Sequence, residues 1–112
     1  MPTRGIATTP EPPYFAVIFT SRHTGVAVAE YDTVANLMME LAAEQPGYLG
    51  VETAHDDIGI TVSYWRDEAS IRAWRLNVEH TVARARGRSE WYAEYVLRVA
   101  RVERATAFTA PA

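Results

Sequence analysis

"ITVSYWRDEASIRAWRLNVEH", residues 60 to 80, changes its period halfway along. Ile60, Val62 and Tyr64 alternate with Thr61, Ser63 and Trp65, which is the two-residue repeat of a strand. From Asp67 onward the repeat becomes three and four: Ile71, Trp74 and Val78 fall on one helix face. Asp67 is a good N-cap and Glu68 suits the positive end of the helix, so the helix starts there. One strand face is the more polar, yet it ends in Trp65. At roughly 100° per residue, His80 stands about 180° from Ile71 and reaches an interior only if the helix breaks near "LNVEH".

Working outward, "YLGVETAH" (residues 48–55) and "IGITVSYW" (58–65) flank Asp56 and Asp57, predicting a hairpin with a polar turn. Before it, "VAVAEYDTVANLMMELAAEQPG" places Ala27, Tyr31, Val34, Met38 and Leu41 in one helical stripe, stopped by Pro46 and Gly47. Met38 and Met39 read as core filling, since thioethers pack well on such a stripe. "YFAVIFTSR" (residues 14–22) is β-branched and aromatic, with Phe15, Val17 and Phe19 on one face and Tyr14, Ala16 and Ile18 on the other. After the central helix, "TVARARGRSEWYAEY" is expected to continue helical, interrupted at Gly87 and recapped by Ser89. "YVLRVARVERA" supplies a last strand.

The order is strand, helix, strand, strand, helix, strand, an α+β, ferredoxin-like arrangement with an antiparallel sheet and both helices on one side. Residues 14–108 form the domain, between a disordered arm at 1–13, rich in proline, and a short tail at 109–112. Two helices cover one face only, while residues 14–21 are apolar on both. The expected solution is a homodimer whose sheets pack face to face or close into a barrel.

Composition narrows the chemistry. A chain of 112 residues with no cysteine holds one core and no disulfide, thiolate nucleophile, Cys-ligated zinc or iron–sulfur cluster. No apolar run approaches the ~20 residues of a membrane span, and "MPTRGIATTPEPP" lacks a signal-peptide core, so a cytoplasmic protein is expected. A net charge of −3 argues against a nucleic-acid partner. Arg84, Arg86 and Arg88 read as a solvated helix end. Neither a nucleotide-binding glycine loop nor metal-ligand spacing is present, and His55, Asp56 and Asp57, adjacent on a turn, rarely converge on one ion.

"YFAVIFTSR", "QPGYLGVE", "GITVSYWRDEASIRAW" and "EH" followed by "RSEWYAEYVLRVARVER" together resemble the antibiotic biosynthesis monooxygenase-like family of the dimeric α+β barrel superfamily, over about residues 14–108. The resemblance implies a homodimer and an enzyme acting on a small aromatic substrate with molecular oxygen and no cofactor. The haem-degrading branch uses a strand Asn and a His ten residues after a helical Trp. Here no Asn lies between Tyr14 and Arg22, and the position ten after Trp74 is Arg84, so haem degradation is disfavoured. In related plant polyketide cyclases an aromatic residue precedes a cavity His by six positions, as Trp74 precedes His80; their helix breaks just before it.

The resulting expectation is a monooxygenase in which His80 takes a proton from a phenolic or anthrone-like substrate, and the electron-rich carbanion reacts with oxygen directly. Trp74 walls the pocket with Trp65, Trp91 and Tyr92, and Asn77 is a further binding candidate. Phe19 and Arg98 face the same cavity, Arg98 stabilising a phenolate or enolate. Each residue also has a plainer use: Trp65, Trp74 and Trp91 as core or interface, His80 as a surface or capping group, Arg98 as a strand-edge ion pair. A cyclase using His80 for proton transfer alone, and a ligand-binding dimer without catalysis, fit the same sequence.

Overall fold

A computed structural model describes residues 5–23, 39–84 and 92–111, with the side chains of residues 78–84 and 92 outside that description. Four strands, β1 (Tyr14–His23), β2 (Tyr48–His55), β3 (Gly59–Trp65) and β4 (Tyr92–Val102), form one antiparallel sheet in the order β2-β3-β1-β4. Residues 39–44 are helical (α1), and the second helix is α2 (Glu68–Arg84). This is the ferredoxin-like α+β arrangement that the sequence predicts. The stripe from Ala27 to Met38 lies outside the described residues.

Register assigns the two faces. Phe15, Val17 and Phe19 of β1 pair with Trp65, Ser63 and Thr61 of β3 and with Arg101, Val99 and Leu97 of β4. This odd-numbered face carries the helices: Val17, Ala42, Trp65 and Ile71 form the buried core, with Phe15, Tyr48, Trp74 and Leu97 packed against it. The polar-looking side of β3 is therefore the inner one. Burying Ser63 there is tolerable because its Oγ accepts the Trp65 indole N–H at 2.9 Å.

The hairpin forms as expected, and α2 begins as expected. Ser70 N donates to Asp67 Oδ1 at 2.8 Å, closing the N-cap. Gly47, with φ of 87°, turns the chain before β2, and its carbonyl accepts from Arg66 N at 2.8 Å, tying that turn to the approach of α2.

One expectation changes. Tyr92 to Glu94, expected to be helical, belong to β4, because Arg22 and His23 of β1 pair with Glu94 and Tyr92. A partner strand with free hydrogen-bonding groups outweighs a weak helical preference, and tyrosine is at home in a strand. The N-terminal segment also has fixed points. Ala7 N donates to Glu52 Oε2 at 3.0 Å and Thr9 Oγ1 donates to the Tyr14 hydroxyl at 2.9 Å. Ala7 and Thr9 thus lie on the even-numbered sheet face, beside Glu52, Tyr14 and Tyr64. Farther along that face Ile60 and Val96 stay exposed.

Candidate active site

Trp65 closes β3 on the helix-covered face, and Trp74 comes down from α2 one turn after the buried Ile71. Their ring centroids are 5.2 Å apart with the planes tilted by 35°. Tyr48 meets Trp65 edge-on at 5.6 Å. The two indoles then differ in a chemically useful way. Trp65 is fully buried with its N–H taken by Ser63. Trp74 is half-buried, and its Nε1 is shielded from solvent with no acceptor among the described residues. A shielded N–H without an acceptor costs free energy, of order 1–3 kcal/mol, which a bound oxygen atom would relieve.

The other expected site residues disperse. Phe19 lies on the helix face and stacks at 5.2 Å on Tyr95. Arg98 pairs with Ile18, one position out of phase with Phe19, so it occupies the opposite face, exposed. Phe19 and Arg98 therefore do not line one cavity of a single protomer, because a one-residue offset in a strand reverses the side chain. Asn77 is exposed on α2. Tyr92 opens β4 opposite His23, and Trp91 lies outside the described residues.

His80 sits inside α2, which runs from Glu68 to Arg84 without interruption. The break that would turn this position inward is absent, and the helix line through His80 is about 180° from that of Ile71. The sequence reading missed Ser63, His23 and Tyr95, and weighed His55 only with its turn neighbours Asp56 and Asp57. For Ser63 a signal existed, its place two residues before Trp65 on the same strand face.

No family model matches the chain. It is 48% identical over 109 residues to the uncharacterized protein YqjZ of Bacillus subtilis, spanning 92% of this chain and 91% of that one. It is 30% identical over 92 residues to the jasmonate monooxygenase ABM of Pyricularia oryzae, spanning 79% of this chain but 43% of that longer protein. Among solved structures it superposes on a mutant form of SnoaB, a cofactor-independent oxygenase from Streptomyces nogalater. The TM-score is 0.64 at 14% identity, over 88% of this chain and 98% of that one.

Proposed function

We propose that this chain is an antibiotic biosynthesis monooxygenase-like protein that oxygenates a small aromatic or phenolic molecule without a flavin or metal, a reading supported by its likeness to the jasmonate monooxygenase ABM and, in fold, to the cofactor-independent oxygenase SnoaB. The observation that carries this reading is the Trp74 indole N–H, shielded from solvent with no acceptor among the described residues and backed by the Trp65 ring. A flat substrate would stack on aromatic side chains, and its carbonyl or phenolate oxygen would accept the Trp74 proton. That donor gains strength as negative charge develops on the oxygen.

For an anthrone-like substrate the balance is simple. A base removes one proton from the ring CH2, and the carbanion passes an electron to O2. Recombination and return of that proton give a hydroperoxide, whose second C–H hydrogen and terminal OH leave together as water, and the carbon becomes a carbonyl. One oxygen atom enters the product and the other leaves as water. The sequence names His80 as this base, but on an unbroken α2 its line is turned about 120° from that of Trp74, so the contact to the ligand falls on Trp74. The working form is a homodimer, because Ile60 and Val96 on the helix-free face need a cover.

Oxygen uptake over a panel of anthrones and hydroquinones, without flavin or metal, tests the reading. Trp74→Phe should lower kcat by roughly 10²-fold or more, as loss of an oxyanion donor does. His80→Ala should lower it about 10²–10⁴-fold if His80 is the base. Proton transfer without oxygen uptake, with a product of unchanged mass, would replace the oxygenase by a cyclase. Tight ligand binding without turnover would leave a binding protein.

A further inference from the structure

A second cluster lies at the far end of the same sheet face. β1 and β2 run parallel on either side of β3, and each ends in a histidine, His23 and His55. Between them β3 begins at Gly59, which pairs with Ser21 on one side and His55 on the other. Gly59 is buried, and the absent side chain opens a gap that the His55 imidazole fills. A Cβ at Gly59 would stand 3.0 Å from His55 Nδ1 and 3.2 Å from its Cε1. Across that gap the His23 and His55 rings approach to 6.0 Å between centroids, at 65° to each other. His23 Nε2 is shielded from solvent, whereas His55 is exposed.

Imidazole is the commonest protein ligand for borderline divalent metals such as zinc. With Zn–N bonds near 2.0–2.1 Å, a ring centre lies about 3 Å from its ion, so two rings on one ion have centres roughly 5–6 Å apart. The observed spacing falls at the upper end of that range. We propose that His23 and His55 form a binding site for a divalent transition-metal ion of the zinc type, built where two parallel strand ends meet across Gly59. Among the described residues no group of three or more His, Cys, Asp or Glu converges, so two imidazoles hold the ion and its other positions stay open to water or a small anion. The exposed side of His55 gives the ion its way in. Register places the Ser21–Gly59 pair, beside which the two histidines lie, six residues along β1 and β3 from the Phe15–Trp65 pair, so this site is independent of the proposed oxygenase chemistry.

Equilibrium dialysis of the untagged, full-length protein against Zn2+, with Mg2+ as the control, tests the site without any substrate. One zinc per chain is expected, with no comparable magnesium binding. The affinity should fall roughly tenfold or more in His55→Ala and in His23→Gln. His55 is exposed, so its variant keeps the fold even if His23→Gln does not. Gly59→Ala, which pushes the His55 ring aside, should weaken zinc with both histidines in place. His80→Ala should bind as the wild type does. Zinc binding that survives in His55→Ala, that disappears in His80→Ala, or that is absent from the wild type would overturn the proposal.

Discussion

Trp65 and Trp74 are one residue type in two environments, and the difference lies in what each N–H finds. Trp65 is buried with its donor satisfied, so Trp65→Ala should destabilise the protein by about 3–5 kcal/mol in urea unfolding. Trp74 keeps a shielded donor with no acceptor among the described residues, so Trp74→Phe should change stability by about 1 kcal/mol or less while impairing turnover. Both tryptophans were legible as an aromatic pair in the sequence; which indole is saturated was not, because that depends on Ser63 facing inward. Tyr64 offers a pH test. Burial, then the hydrogen bond and charge of Glu52, push its phenol from 10.0 up to about 12, and its hydroxyl donates to Glu52 Oε1 at 2.6 Å. A raised phenol pKa means stability held in full below pH 10 and lost as pH rises through about 12. The melting-temperature advantage over Tyr64→Phe should be constant below pH 10 and shrink across that window.

Among the elements, α2 and the turn before β2 depend on single residues. The Ser70 hydroxyl, then the Ser70 backbone N–H, hold the Asp67 carboxyl below its ordinary 3.8, so this contribution is present above that pH and lost as pH falls below it. Asp67→Ala should lower the melting temperature at neutral pH, and the difference should close in acid. At Gly47 a side chain would meet both a positive φ and the Ser70 hydroxyl. Gly47→Ala is expected to cost roughly 1–3 kcal/mol, read from the shift of the denaturation midpoint. Capping and turn chemistry could be read from Asp67 and from Pro46–Gly47 because they are local. The start of β4 could not, since Tyr92 to Glu94 are drawn into the sheet by pairing with residues at the far end of β1.

At the scale of the whole molecule, the helix-free face is shared between Ala7 and Thr9 and exposed Ile60 and Val96. Sedimentation of the wild type should give a dimer, and Val96→Asp should shift it to monomer with its circular dichroism unchanged; a monomeric wild type would remove the reason for this cover. Among the described residues no helix is long and apolar enough to cross a membrane. The element order, the hairpin and the alternation in residues 14–21 follow from the sequence alone, since they rest on periodicity and on local turn and cap preferences. The opposite facing of Phe19 and Arg98, the unbroken α2 through His80, the inward Ser63 and the meeting of His23 with His55 were decided by the tertiary structure. Each depends on strand register or on helix continuity, and a one-residue difference in either sends a side chain to another surface without altering the pattern that sequence reading uses.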